Sequence, residues 1–249
     1  PDDGSVQISD ITSQYATLGL WGPRAREVLQ AVCQNDVSNE AFPYFTAQQI
    51  NVDAVPALAL RVSYVGELGW ELYIPTEFSL HVFDTLVEAG KDVGLVFAGL
   101  QALDTLRLEK AYRDFGNDVD NLDTPLEVGL SRFVDFDKPG GFIGKEALLW
   151  HKQAGVMHRL VQFLLEDPEP LLYYNEIIYR DGEPVGRILA GGYGHTLGAS
   201  VGLGYVENEE GVTADYVQSG NYEIKIASTR YPAQASLRPM YDPTGERIR

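Results

Sequence analysis

Two short stretches hold the residues with chemistry to offer. The first is SYVGELGWELYIP, residues 63–75, which sets Tyr64 and Glu71 among apolar side chains. Leu58, Leu60 and Val62 alternate ahead of it, Gly66 and Gly69 bracket a turn, and Trp70, Leu72 and Ile74 alternate beyond, the pattern of a hairpin with a tight connection. Side chains along a strand point to opposite faces in turn, so Glu71 stands opposite Trp70 and Leu72, on a strand whose start lies across from Tyr64. A carboxylate and an aromatic hydroxyl then share one wall. An ordinary amphipathic hairpin with Glu71 in water fits the same pattern.

The second stretch is AGLQALDTLRLEKAYRDFGNDVDNLDTPLEVGL, residues 98–130. Leu100, Leu103, Leu106 and Ala111 are expected to form the buried stripe of a helix, while Asp104, Arg107 and Lys110 recur down an adjacent edge. In one reading that edge is solvated, with Asp104 and Arg107 paired and Glu109 free. In the other, Arg107, set between Leu106 and Leu108 and followed by Tyr112 at the helix end, offers its charge to a ligand.

The elements that must position these residues follow in chain order. Tyr15 to Trp21 reads as a strand ending at Gly22-Pro23, and a helix is expected from Pro23 to Cys33 with Ala25, Val28, Leu29 and Val32 buried. Cys33 beside that stripe reads as core rather than nucleophile. After the hairpin, Thr76 is expected to cap a helix through Phe78, Leu80, Val82, Phe83, Leu86 and Val87 that Gly90 closes. Strand, helix, strand, strand, helix is the start of a ferredoxin-like unit, in which helices cover one face of an antiparallel sheet and leave the other open.

From His158 the character turns all-β. Leu160 to Leu165 and Tyr174 to Tyr179 read as strands, Arg180-Asp181-Gly182 as a hairpin turn before Val185 to Leu189, and Tyr222 to Ile226 with Tyr231 to Leu237 as the last strands. The glycine-rich residues 191–206 continue as strand and lack the helix that a phosphate-cradling loop must open. His195 in this block reads as a hydrogen-bonded loop residue. The fold class is therefore α+β, a ferredoxin-like split βαβ portion followed by an all-β C-terminal portion. The expected domains are residues 1–155 and 156–249.

The 249 residues suffice for a large core, and 45% hydrophobic with 22% charged residues is an ordinary globular composition. No apolar run approaches the roughly 20 residues of a membrane helix. A formal charge of −17, from 36 acidic against 19 basic residues, opposes nucleic acid as a partner. One cysteine excludes an internal disulfide, and His81, His151, His158 and His195 lack metal-ligand spacing, so no metal is expected. The absence of disulfides fits a cytoplasmic location, or the mitochondrial matrix in a eukaryote. The chain opens at Pro1 and soon enters a strand, so a fragment or processed product, truncated at its N-terminus, is expected.

YVGELGWEL, then DTLRLEKAYRDFGNDVDNLDTPLEVGL, then FIGKEAL at residues 142–148 resemble the aminomethyltransferase family, the T-protein of the glycine cleavage system and its relatives. Tyr112 after LRLEK and the closing SLRPMYDPTGERIR resemble the branch fused to flavin oxidases, the dimethylglycine and sarcosine dehydrogenases or oxidases.

That resemblance implies that the all-β portion is a small C-terminal β-barrel, and it implies a tetrahydrofolate pocket and one-carbon transfer to N5 of the folate, with an amine-derived donor. It implies Glu71 as acceptor from the pterin's neighbouring N–H groups, Tyr64 and Tyr112 as lining residues, and Arg107 directed at the anionic tail. The catalytic aspartate of the family lies upstream of the matched region, so the catalytic residue here is unknown. FAD would belong only to an upstream domain of a fused oxidase. The alternatives are a stand-alone T-protein serving a lipoyl carrier protein, and a non-catalytic folate-binding regulatory module.

Overall fold

A computed structural model describes residues 3–249. The chain divides into two compact units, residues 3–98 with 245–249, and residues 99–244. Among the described residues no helix is long and apolar enough to cross a membrane.

The first unit is a four-stranded antiparallel sheet backed by two helices. Its strands are β1 (Tyr15–Trp21), β2 (Ala47–Val52), β3 (Val55–Leu60) and β4 (Gly69–Pro75), in the order β1-β4-β3-β2. Helices α1 (Ala25–Val32) and α2 (Ser79–Gly90) cover one face: Ala25, Val28, Leu29, Val82 and Leu86 share a core with Leu20, Ala57, Ala59, Trp70, Leu72 and Ile74. Cys33 is buried there and free, as expected, and burial pushes its thiol pKa up.

Three sequence expectations fail in this unit. The connection between β3 and β4 is not tight, because pairing stops at Leu60↔Glu71 and residues 61–68 form a loop, in which Gly66 takes φ 79°. Tyr64 sits in that loop, not across from the start of β4. On β3 the alternation runs in the opposite phase: Val55, Ala57 and Ala59 face the core, Leu58 and Leu60 the other side. Arg61 continues the core-facing set, where its Nη1 donates to the Phe42 carbonyl at 2.9 Å and its guanidinium lies over Trp70 at 4.9 Å. A small-residue strand leaves room for that long side chain; burial lowers its pKa to about 10.

The third failure is at α2. Thr76 begins a 3-10 turn and turns its hydroxyl to the Ser13 carbonyl, 2.9 Å away, so it does not cap the helix. Of the expected apolar face only Val82 and Leu86 are buried, with Phe78, Leu80 and Phe83 exposed. The left-handed stop is Gly94, φ 80°, not Gly90.

The second unit holds α3 (Leu100–Glu109), α4 (Lys145–Ala154), α5 (Ala214–Ser219) and a closed barrel of β5 (His158–Leu165), β6 (Ile177–Arg180), β7 (Glu183–Gly194), β8 (Ala199–Glu207), β9 (Tyr222–Ile226) and β10 (Thr229–Ser236). The barrel order is β10-β5-β8-β7-β6-β9. Glycine lets its strands close up: a Cβ at Gly204 would meet the Arg187 carbonyl oxygen at 2.6 Å and Ile178 Cδ1 at 2.8 Å. The glycine-rich block is strand, as its apolar continuation implies. Compactness divides the chain ahead of the change in sequence character at His158, because Leu108 and Ala111 pack with Ala190, Val201 and Leu203 on the barrel's outer wall.

Candidate functional site

The sheet face of the first unit that carries no helix holds Glu71. In the register of β1 with β4, Gly19 lies across from Glu71 and Thr17 across from Tyr73, while β3 sets Leu60 across from Glu71. Glu71 therefore points away from Trp70 and Leu72, as the alternation predicts, and is half-buried. Its Oε2 accepts a hydrogen bond of 3.0 Å from the Tyr73 hydroxyl. Burial first, and then the Glu71 carboxylate, push the Tyr73 phenol up, so it stays a proton donor. The second carboxylate oxygen is not consumed by this contact, and a carboxylate offers about four lone-pair positions.

Trp21 completes this face. Its Nε1 donates to the Val62 carbonyl at 3.0 Å, tying the indole to the loop that carries Tyr64. Position 19 is open only because it is glycine: a Cβ there would overlap Cζ3, Cη2 and Cε3 of the Trp21 ring, the last at 2.9 Å. In the loop, Ser63 Oγ accepts from the Glu67 amide at 3.1 Å, and Tyr64 is half-buried.

The second unit treats its charges differently. Arg107 is fully buried, with Nε donating to Asp104 Oδ1 at 2.7 Å and Nη1 donating to Asp118 Oδ1 at 2.7 Å and to the Tyr112 carbonyl at 3.2 Å. Only Nη2 is without a hydrogen bond. The Asp104 pairing is the one the helical spacing suggests, whereas Asp118 comes from a polar loop with no periodic signal. Burial opposes the Arg107 charge, but Asp118 and Asp104 outweigh it and raise the pKa; burial also raises Asp118, against the pull of Arg107.

Glu109, free in the solvated reading of this edge, is buried, and its Oε1 accepts from the amides of Thr196 and Leu197 at 2.7 and 2.9 Å. Lys110 pairs with Asp242 at 2.7 Å. Leu100, expected in the buried stripe, is 83% exposed. Buried instead are Arg107 to Ala111, because α3 packs on β7 and β8 and its end is tied to β5, where Gln162 Nε2 donates to the Leu108 and Glu109 carbonyls at 2.7 and 3.0 Å. Ala111 takes φ 54°, and the Tyr112 amide donates back to the Arg107 carbonyl at 2.9 Å, ending the helix and fixing the half-buried Tyr112.

Thus Tyr64 and Glu71 belong to the first unit and Arg107 and Tyr112 to the second. Arg107 and Tyr112 are brought together, through the Tyr112 backbone. Sequence reasoning missed Tyr73, Trp21 and Asp118. Tyr73 was within reach, since it lies two residues beyond Glu71 and shares its face.

The GCVT N-terminal domain family matches residues 1–138, and the glycine cleavage T-protein C-terminal barrel domain matches residues 158–242. The 4-methylaminobutanoate oxidase (formaldehyde-forming) of Paenarthrobacter nicotinovorans is 44% identical over 98% of this chain and 29% of its own length. Human mitochondrial sarcosine dehydrogenase is 36% identical over 98% of this chain and 27% of its own. The mouse mitochondrial pyruvate dehydrogenase phosphatase regulatory subunit is 37% identical over 96% of this chain and 29% of its own. The chain spans less than a third of each of these relatives. In fold it is similar to the glycine cleavage system aminomethyltransferase T from Bartonella henselae, with a TM-score of 0.77 and 23% identity over 92% of this chain and 60% of that one. The first match covers the sheet unit and runs on through α3 into the second unit, the second covers the barrel, and the chain belongs to the glycine cleavage T-protein (aminomethyltransferase) family.

Proposed function

We propose that this chain binds tetrahydrofolate and serves one-carbon transfer as the folate half of a flavin-linked N-methyl amine oxidoreductase of the dimethylglycine or sarcosine type. One observation carries the ligand assignment: Glu71 is half-buried on the helix-free face and, among the described residues, pairs with no cation and accepts one hydrogen bond, from Tyr73. A carboxylate so placed suits the two neighbouring N–H donors on the edge of a reduced pterin, a charge-assisted and two-pronged contact. The folate, when bound, supplies the nitrogen that takes up the one-carbon unit. The protein supplies orientation: Glu71 fixes the ring edge, Tyr73 holds the Glu71 rotamer, and Tyr64 on the neighbouring loop offers aromatic packing.

Arg107 has a smaller share in this reading. Three of its donor contacts are internal, and its principal work is to fix the turn that bears Tyr112. The oxidoreductase setting draws on relatives whose names are a formaldehyde-forming oxidase and a sarcosine dehydrogenase. FAD belongs, on this proposal, to sequence outside these residues. A second reading, a regulatory module without catalysis, draws on the similarity to the phosphatase regulatory subunit.

Anaerobic calorimetric titration with tetrahydrofolate tests the assignment. Saturable binding at one site is expected, and no heat of binding from a folded chain overturns it. Binding without capture of a one-carbon unit from an N-methyl amine, in the presence of the flavin partner, favours the regulatory reading.

A further inference from the structure

The indole of Trp21 is held more firmly than a strand-end tryptophan requires. Its Nε1 is anchored on the Val62 carbonyl at 3.0 Å, its ring fills the volume that any side chain at position 19 would take, and a Cβ at Gly69 would overlap its Cδ1 and the Leu20 carbonyl oxygen. Two glycines on adjacent strands are thus given over to one ring. Across the strand pair from Gly19 stands Glu71. The indole therefore lies beside the carboxylate on the same helix-free face, and it remains only half-buried. If burial were the purpose, the opposite face of β1, where Leu20 joins the core, was available.

We infer that Trp21 is a specificity-determining residue, an aromatic wall against which a flat heterocycle rests while its N–H edge is held by Glu71. This rests on the folate reading and deepens it. A carboxylate alone accepts from any pair of donors, including a guanidinium or an amidine on a flexible stem. A carboxylate with an indole set beside it selects donors borne on a planar ring, because stacking rewards only a flat π-surface. Tyr73 and Trp21 then divide the work: the phenol orients the carboxylate, and the indole orients the ring.

The test compares wild type with Trp21→Leu, Trp21→Phe and Gly19→Ala, titrated anaerobically with tetrahydrofolate and with the pterin ring lacking its tail, alongside Glu71→Gln. Trp21→Leu is expected to lose roughly tenfold or more in affinity for both ligands, and Trp21→Phe to keep part of it. Gly19→Ala, which displaces the indole without removing it, is expected to resemble Trp21→Leu. Ligand should quench wild-type tryptophan emission and leave the emission of Trp21→Phe, which retains Trp70 and Trp150, much less affected. Full affinity in folded Trp21→Leu and Gly19→Ala, with wild-type-like quenching in Trp21→Phe, overturns the role of Trp21 while Glu71→Gln still weakens binding. Absence of binding by wild type overturns the folate reading, and this inference with it.

Discussion

The two units spend charge in opposite ways. On the sheet of the first, Glu71 meets a single neutral donor among the described residues, Tyr73, and is left with acceptor capacity. At the end of α3 in the second, Arg107, Glu109 and Lys110 are all buried and all engaged, by Asp104 and Asp118, by two backbone amides, and by Asp242. Both regions are polar in sequence and both match family motifs. The difference separates a group that can serve a ligand from groups that serve the fold: what counts is how much of a charge's bonding capacity its own neighbours leave over.

The largest expected effect tests the second half of that contrast. Asp118→Ala leaves Arg107 buried with one carboxylate fewer, at a cost of about 3–5 kcal/mol in urea unfolding. Replacing Arg107 and Asp118 together by Met and Leu should recover most of the loss. A neutral Asp118→Ala would mean that Arg107 is not held for the fold and would return it to the candidates for ligand contact.

A pH series probes the same unit at Tyr222, which is 5% exposed and whose pKa burial, opposed by Arg180, raises to about 12 from 10.0. A raised phenol pKa contributes stability that is whole below 10.0 and lost as pH climbs through about 12. At roughly 1.36 kcal/mol per unit the loss is on the order of 3 kcal/mol. Unfolding free energies measured across that window should fall in wild type and fall less in Tyr222→Phe. Parallel curves would contradict the account.

The smallest effect sharpens the first half. Tyr73→Phe removes the phenol that donates to Glu71 and should weaken tetrahydrofolate binding by about 0.5–1.5 kcal/mol, through a looser carboxylate, with little change in stability. Binding unchanged in titration would show that Glu71 is oriented by something else.

Period-two alternation was enough to read Glu71 onto the face opposite Trp70 and Leu72, and strand and turn chemistry was enough for β1, the Asp181-Gly182 turn and the glycine-rich barrel strands. It erred on β3, where Leu58 and Leu60 looked like core because they are larger than Ala57 and Ala59. The small residues face inward because the core side is already filled by Trp70, Phe42 and the Arg61 side chain. The same reasoning expected the leucines of α3 to be buried and its charges exposed. Docking of the helix end on the barrel reverses this, and no local pattern encodes it, since Asp118, Thr196, Leu197 and Asp242 are distant in sequence. The resemblance to a family supplied Tyr64, Arg107 and Tyr112 as a set, but not which of them the fold keeps for itself.

Glu71→Gln decides the central claim most directly. It keeps the shape and one oxygen acceptor while removing the charge, and it should be measured by anaerobic titration with tetrahydrofolate and by urea unfolding on the same samples. The account predicts an affinity loss of about 1.5–3 kcal/mol, the range for a hydrogen bond to a charged group, with unfolding free energy unchanged. Unchanged affinity with lowered stability would make Glu71 a structural residue and remove the ligand from this face.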